Sequence, residues 1–433
     1  GVFVVLIVMQ GALRKWALPG LERYLYFLKD GVLLAGIAVV ATRHRVSLPT
    51  PVRRTALPLL LGTFVGWVVL QSVNPRLPGL AVGLLGLRSH LLYVALTIMV
   101  PLALTEVRAP MRLVAWFVAG IAVPVLLLGI YQYFQPPSAW INRYVAAEAH
   151  VTNIAGHPRI TGTFSYITGM STFLVLCLCL AVGVLFAGVR MQRRRLLWGG
   201  AGFLALAVTV APMNGSRSVL FFTAIPTPVV LYEMMRQRGR ITMGIAGVAA
   251  ATALTFAATQ TDLALAWDVF LSRVEGASDT EGRAIGLFAK PLGRLGDVGL
   301  FGYGAGATHQ AAPVLAGSSY SWIPFEGHGE STFVRLLTEL GAIGFVVIMG
   351  LKLYLVYFSY CTMRDAQSAF AAVIGTSAFL FLTVHLVAHV AFNPTAGALY
   401  WKLVGATIYG WSRDRVEEDL QLMSSPEQAS PIA

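Results

Sequence analysis

Charged residues are scarce in this sequence: they make up 12% of its 433 residues, whereas 56% are hydrophobic and the mean hydropathy is +0.70. A soluble domain carries about 25% charged residues, so the composition excludes an ordinary globular protein. Apolar runs of about 20 residues recur along the chain, and each suits a bilayer core roughly 30 Å thick. The short alternating segments of outer-membrane barrels are missing. The sequence therefore predicts an all-α, polytopic integral membrane protein with about 12 transmembrane helices.

Cysteine is also rare, with three residues in the whole chain. Cys177 and Cys179 lie on roughly opposite faces of one apolar run, so they cannot bridge each other, and a disulfide framework is excluded. Internal repeats and a soluble domain are missing as well, which predicts one transmembrane domain over residues 1–433. The first apolar run, residues 1–13, would span only about 20 Å. We therefore expect the natural protein to begin further upstream.

The apolar runs define the predicted spans. They lie near residues 1–13, 24–42, 55–73, 79–104, 111–134, 169–190, 195–214, 217–236, 241–260, 331–358, 367–390 and 395–411. Short basic loops fall on one side of the membrane if these spans alternate, and that side should be cytoplasmic. The outer side then receives an outer segment at 135–168 and a large outer loop at 261–330, while residues 412–433 form a cytoplasmic tail.

Many cations nevertheless map to the outer half of the protein, although the net charge of +12 arises largely from the cytoplasmic loops. They are Arg14, Lys15, Arg23, Lys29, Arg76, Arg88, Arg143, Arg159, Arg217, Arg273, Arg283, Lys290, Arg294 and Arg335. One interpretation is local pairing with acids, or snorkelling to the interface beside membrane lipids. The other is an outer-facing polyanion, since the arginine fork matches phosphate oxygens. Placement between apolar spans argues against nucleic acid as the partner.

The predicted loop 261–330 is rich in acids and aromatics, and it holds eight of the 20 acidic residues. Carboxylates that accept hydroxyl hydrogen bonds, beside aromatic faces that stack on sugar rings, suit a carbohydrate. The same aromatics would equally form a small core with an interfacial belt. Both interpretations stay open from the sequence.

Three short segments resemble the O-antigen ligase and polymerase superfamily of bacterial surface-polysaccharide enzymes. Residues 159–164 (RITGTF) resemble its R-x-x-G-T-F segment, residues 214–218 (NGSRS) its S-R-[GS] motif, and residues 330–341 the segment that follows its large outer loop. Residues 13–19, 86–89 and 302–306 match further family segments in the expected order. Where ligases carry a His-Asn pair, this chain has Glu330 and Ser331, which is similar to the polymerase-like branch.

The resemblance implies a multi-pass enzyme of the bacterial inner membrane whose active site lies on the periplasmic face. It would polymerise surface polysaccharide by transferring glycan from a polyprenyl diphosphate carrier to an acceptor glycan. A chain-length regulator protein would be a further partner. We expect an inverting, metal-independent glycosyltransferase without a cofactor, because convincing metal-ligand spacing is missing from the outer segments. The alternatives are an O-antigen ligase that uses lipid A core as acceptor, and a transporter or lipid flippase.

Candidate site residues follow from the chemistry of diphosphate release, which needs cations for the leaving group and a base for the acceptor hydroxyl. We assign the base to Glu330 or His328, and the catalytic cations to Arg217 and Arg283. Substrate-binding residues are predicted to be Arg159, Arg88, Arg335 and Lys29. Structural alternatives are a salt bridge of Glu330, a turn role for His328, an interfacial Arg217, an i,i+4 pair of Arg335 with Glu339, and a Lys29–Asp30 pair.

Overall fold

The computed structural model describes residues 2–43, 48–145, 151–154, 156–236, 249, 252, 264–275, 280–317, 331–388 and 390–424. It is 79% helical with almost no strand, which confirms the predicted all-α class. Within these residues, six helical stretches are long and apolar enough to cross a membrane: Pro19–Thr42, Leu80–Thr105, Pro110–Tyr133, Ile167–Arg190, Arg194–Asn214 and Thr332–Asp365. Two shorter apolar helices, Leu57–Ser72 and Ala369–Val384, accompany them.

The helices of the first half begin with α1 (Val2–Ala12), which continues as a π-helical turn Leu13–Ala17. The following helices are α2 (Glu22–Tyr26), α3 (Leu28–Arg43), α4 (Thr50–Arg53), α5 (Leu57–Ser72), α6 (Leu80–Leu91), α7 (Leu96–Thr105), α8 (Pro110–Phe117) and α9 (Val123–Tyr133). A small antiparallel ladder pairs β1 (Asn153–Ile154) with β2 (His157–Pro158).

The helices of the second half are α10 (Ile167–Arg190), α11 (Arg194–Val210), α12 (Arg217–Ala224), α13 (Thr227–Arg236), α14 (Ala264–Glu275), α15 (Thr280–Val298), α16 (Ala312–Ala316), α17 (Thr332–Asp365), α18 (Ala369–Val384) and α19 (Pro394–Ser424). Side-chain caps start three of them. Ser331 accepts from the Val334 amide, Ser368 from the Ala371 amide, and Asn393 from the amides of Thr395 and Ala396.

Helix α10 forms the centre of the bundle, and nearly all its side chains are buried. It packs against α11 and α18, while α17 and α19 enclose α18, and α7 packs on α19. Polar contacts join arginines of α10 and α19 to the end of α17 at one end of the bundle, which we call the basic end. There Arg190 donates to the Ala366 carbonyl at 2.7 Å, and Arg415 lies 3.7 Å from Asp365.

One predicted span is not a single helix. The predicted span 217–236 is broken into α12 and α13, because Pro226 lies at the break and a proline cannot donate the amide that a continuous helix needs there. The last helix, α19, continues past the predicted span 395–411 into the predicted tail and ends at Ser424. Arg413 pairs with Glu417 four residues later at 2.7 Å, which supports helix in this polar stretch. Most of the predicted span 241–260 lies outside the described residues.

Helix α17 kinks at Gly341, whose φ of 70° and ψ of −178° are accessible essentially to glycine alone. The kink releases backbone groups that the segment after α15 then satisfies. The carbonyls of Thr338 and Glu339 accept from the amides of Tyr303 and Gly304 at 2.8 and 3.1 Å. In return, Ala342 donates to the Gly299 carbonyl at 3.2 Å. The kink is therefore built jointly by α17 and the glycine-rich segment 299–306.

Gly341→Ala should lower the stability of the protein by at least about 1–3 kcal/mol, the cost of strained backbone, with more from overlap. A Cβ at this position would overlap the carbonyl oxygen of Leu300. The matched control is Gly350→Ala in the same helix, where a Cβ meets nothing within 4 Å and helix propensity predicts a gain of up to about 1 kcal/mol. Thermal unfolding in detergent measures both, and equal midpoints would contradict the kink's role.

Candidate active site

Three cationic side chains surround the ring of Tyr26, opposite the basic end. The guanidinium carbons of Arg14 and Arg88 lie 5.4 and 5.2 Å from the ring centroid, and the Lys29 amine lies 4.5 Å from it. These cations come from the π-helical turn after α1, from α6 and from α3. Aromatic faces attract cations, but like charges so close together repel one another. We call Arg14, Lys29, Arg88 and Tyr26 the Tyr26 cluster.

Asp30 is the carboxylate that contacts this cluster, and it binds Arg88. Its Oδ2 accepts from Arg88 Nε at 2.9 Å, and its Oδ1 accepts from the Tyr93 hydroxyl at 2.9 Å. Lys29 donates to the Tyr26 carbonyl at 3.0 Å, so the expected Lys29–Asp30 pair is replaced by an Arg88–Asp30 pair. Neighbours on a helix point in different directions, whereas α6 faces Asp30 directly.

Lys15 adds a buried cation beside the Tyr26 cluster. Its side chain is 1% exposed, and its amine donates to Thr161 Oγ1 at 2.9 Å and to the Gly162 carbonyl at 2.7 Å. Burial lowers the pKa of Lys15 to about 7, and the nearby Arg143 lowers it further. Among the described residues its hydrogen-bond partners are neutral. Segment 13–19 thus contacts segment 159–164 through Lys15, and Arg14 donates to Oγ of the adjoining Ser165 at 3.0 Å.

The balance of charge in this region is positive. Arg14, Lys15, Lys29, Arg88 and Arg143 act on one another here, against the carboxylates of Glu22 and Asp30. Counted over the described residues with every group ionised, five cations and two acids leave an excess of three positive charges. Desolvated charge is costly unless it is paired, so an anionic ligand would stabilise this region.

Arg159 connects two of the segments that carried the sequence resemblance. Its Nε donates to the Asn214 carbonyl at 2.9 Å, and the fully buried Asn214 amide donates back to the Ile160 carbonyl at 2.9 Å. Ser171 donates to Asn214 Oδ1 at 2.6 Å. Arg217 follows three residues later as the first residue of α12. The predicted substrate residue Arg159 is therefore held beside the segment that leads into Arg217.

A second polar cluster lies where α6 meets the kink of α17, and we call it the His90–Glu339 cluster. His90 Nε2 lies 2.7 Å from Glu339 Oε2, and both side chains are 0% exposed. Glu339 Oε1 accepts from the Thr308 amide at 3.0 Å and from its hydroxyl at 2.6 Å. Arg335 donates to the Thr308 carbonyl at 2.9 Å and lies 3.7 Å from the Phe392 ring centroid. His90 thus contacts one carboxylate oxygen of Glu339, and Thr308 donates to the other. The i,i+4 pair with Arg335 that the sequence offered is therefore not the main contact of this carboxylate.

Both clusters draw on α6, which contributes Arg88 to the first and His90 to the second. Of the predicted substrate-binding residues, Lys29 and Arg88 belong to the Tyr26 cluster and Arg335 to the His90–Glu339 cluster. The predicted bases Glu330 and His328 lie outside the described residues, and so does the side chain of Arg283. Sequence reasoning missed His90, Thr308 and His309, although His90 directly follows the matched segment 86–89.

Metal binding would require several ligating side chains in one place. Within the described ranges, no group of three or more His, Cys, Asp or Glu side chains is arranged to hold a metal ion. The polar chemistry assembled here consists of guanidinium and ammonium groups, one buried histidine–carboxylate pair and aromatic faces.

Fold and site define a helical membrane protein with a cationic, partly buried cluster opposite its basic end. No protein-family model matches the chain, and no curated protein sequence matches it.

Proposed function

We propose that this protein is a membrane glycosyltransferase that moves glycan from a polyprenyl diphosphate carrier to an acceptor glycan on the outer face of the bacterial inner membrane. The observation that carries the proposal is the convergence of Arg14, Lys29 and Arg88 on Tyr26, where Asp30 is the one contacting carboxylate among the described residues. A diphosphate carries two or three negative charges, which match the excess of positive charge in this region. Arginine and lysine are the side chains that bind phosphate oxygens most strongly.

A lipid-linked donor also needs an apolar path for its chain. Helix α3 continues from Lys29 toward the basic end, and together with α7 it forms a groove of about 400 Å³. Ala35, Gly36, Val39 and Met99 line this groove, and Val39 is 49% exposed. Such a surface favours a lipid chain below a head group held at the Tyr26 cluster. A free sugar nucleotide has no lipid chain that could occupy this groove.

The proposed reaction is a single displacement at the anomeric carbon of the donor. The acceptor hydroxyl attacks the anomeric carbon, the bond from that carbon to the diphosphate oxygen breaks, and its electron pair stays on the departing diphosphate. Arg88, Arg159, Arg217 and Arg283 would stabilise that charge, while Glu330 or His328 would take the proton. Attack opposite the leaving group inverts the anomeric centre in one displacement. The donor needs no metal where fixed cations already neutralise it.

Deletion of the gene, followed by electrophoresis of the surface glycan, tests the function. Loss of long chains with single repeats still attached supports the polymerase. Loss of all attached glycan supports a ligase that uses lipid A core. An unchanged chain-length distribution with normal attachment would contradict both the polymerase and the ligase assignments.

The proposal places Ser138 outside the cell membrane and Gln367 in the cytoplasm. Both side chains are exposed, so a cysteine at either position can react with a maleimide. Cys177 and Cys179 are buried, and Cys361 is replaced by serine in the background. Ser138→Cys should react with an impermeant reagent in spheroplasts, and Gln367→Cys should react only after permeabilisation. The reverse pattern would place the cationic cluster in the cytoplasm and refute the proposal.

Lys15→Met should raise the midpoint of thermal unfolding at pH 6, and this gain should shrink toward pH 10. Because the folded pKa of Lys15 is about 7 and an unfolded lysine titrates near 10.4, the unfolded state binds more protons between these values. The cost of burying the charged amine is therefore complete below pH 7 and falls as the pH rises. Lys290→Met at an exposed position is the control. An equal gain at both pH values would contradict a buried charge.

A further inference from the structure

His309 follows a residue whose position is fixed from several directions. The Thr308 amide and hydroxyl both donate to Glu339, and the Thr308 carbonyl accepts from Arg335. The His309 amide donates to the Gly306 carbonyl at 3.0 Å. The His90–Glu339 cluster therefore anchors the backbone from which the His309 imidazole projects.

The tautomer of His309 follows from one hydrogen bond. Its Nδ1 lies 3.1 Å from the backbone nitrogen of Ala311. A backbone N–H can only donate, so Nδ1 must carry the lone pair and the ring proton must reside on Nε2. Among the described residues, none bonds to Nε2. His309 is thus held as a hydrogen-bond donor whose N–H is available to a ligand.

Burial of the ring favours this neutral form. Burial lowers the pKa of the His309 imidazole. Nearby Glu339 raises this pKa, whereas Arg88, Arg335 and His90 lower it. A second proton would have to enter at Nδ1, where it would displace the Ala311 amide. His309 therefore suits neither a general base, which needs a free lone pair, nor a permanent cation.

We propose that His309 contacts the diphosphate of the donor through Nε2–H, together with Arg88 and Arg335, and that Glu339 acts as the positioning residue that holds it there. The inference rests on the proposed function and adds a catalytic residue to it. When the bond between the anomeric carbon and the oxygen breaks, the electron pair remains on the diphosphate oxygen. The Nε2–H hydrogen bond stabilises that oxygen without transferring its proton.

Three substitutions at one position separate a donor from a base. The amide nitrogen of glutamine reaches the place of Nε2, whereas that of asparagine reaches the place of Nδ1. In purified protein, His309→Gln should keep kcat within about fivefold of wild type. His309→Ala and His309→Asn should lose about ten- to a hundredfold, as expected for one hydrogen bond to a charged group. The wild-type to His309→Gln ratio should stay constant from pH 6.5 to 9, because the donor is uncharged.

His157→Ala is the matched control. The His157 ring lies in the small ladder and stacks on the Tyr133 ring, with 4.8 Å between the centroids, so this variant should retain activity within about twofold.

Titration with inorganic pyrophosphate supplies a readout that does not depend on turnover. His309→Ala should bind pyrophosphate about tenfold more weakly than wild type, and His309→Gln should bind it nearly as tightly as wild type. Wild-type binding by His309→Ala, or rescue by asparagine instead of glutamine, overturns the inference. If the wild type binds pyrophosphate in this pattern but transfers no glycan, the proposed function fails and the anion contact stands.

Discussion

Replacing Arg88 with alanine should lower the rate of glycan transfer by about a hundred- to a thousandfold, the loss of about 2.7–4 kcal/mol of transition-state stabilisation. Arg88 joins the two clusters: it lies over the Tyr26 ring, pairs with Asp30, and acts on His309. Its guanidinium would meet charge that develops only as the diphosphate leaves, so the loss should appear mainly in kcat. Single-turnover kinetics with a lipid-linked donor in detergent measure it.

The same substitution leaves Asp30, which is 5% exposed, without its ionic partner. Breaking a buried pair from one side costs about 3–5 kcal/mol of stability, so a slow enzyme could simply be an unfolded one. The double variant Asp30→Asn/Arg88→Ala removes the lone charge and should recover the unfolding midpoint while transfer stays low. Arg294→Ala, at an exposed pair with Asp297, is the control for activity. A double variant with the wild-type rate would exclude Arg88 from the chemistry.

Arg217→Lys should fail nearly as badly as Arg217→Ala, with both losing about a hundred- to a thousandfold in rate. Arg217 begins α12 directly after the segment that Arg159 fixes through Asn214. Amides at a helix N-terminus favour phosphate, and the planar arginine fork can bind two of its oxygens at once. An ammonium keeps the charge but loses the second contact.

Arg194→Ala provides the comparison for Arg217, because Arg194 also begins a helix but lies at the basic end. Arg194→Ala should retain the wild-type rate of glycan transfer. That result would exclude the explanation that removing any arginine from the start of a helix slows the enzyme. Near-normal transfer by Arg217→Lys would show that charge alone is sufficient and that no bidentate contact is made.

The helices were largely predictable because their cause is local. A run of apolar residues long enough for a bilayer shows in the sequence itself, so the predicted span 169–190 nearly coincides with α10, Ile167–Arg190. The exceptions have specific causes. Pro226 interrupts one apolar run, and ion pairs such as Arg413–Glu417 extend α19 beyond its apolar part. A hydropathy pattern contains neither piece of information.

The site was less predictable because its contacts join distant parts of the chain. Cation patterning singled out Lys29, Arg88 and Arg335, and the structure brings Lys29 and Arg88 together around Tyr26. His90, the partner of Glu339, was missed because the two residues are 249 positions apart in the sequence. Single-sequence patterns indicate which residues carry the chemistry, whereas long-range packing decides which of them meet.

The most direct test is transfer by the purified protein in proteoliposomes that contain a glycan on polyprenyl diphosphate and an acceptor glycan. We expect one free polyprenyl diphosphate for each new glycosidic bond, an inverted anomeric centre, and the same rate with a metal chelator present. Movement of the intact lipid across the bilayer without formation of a new bond would indicate a flippase and would refute glycan transfer as the function.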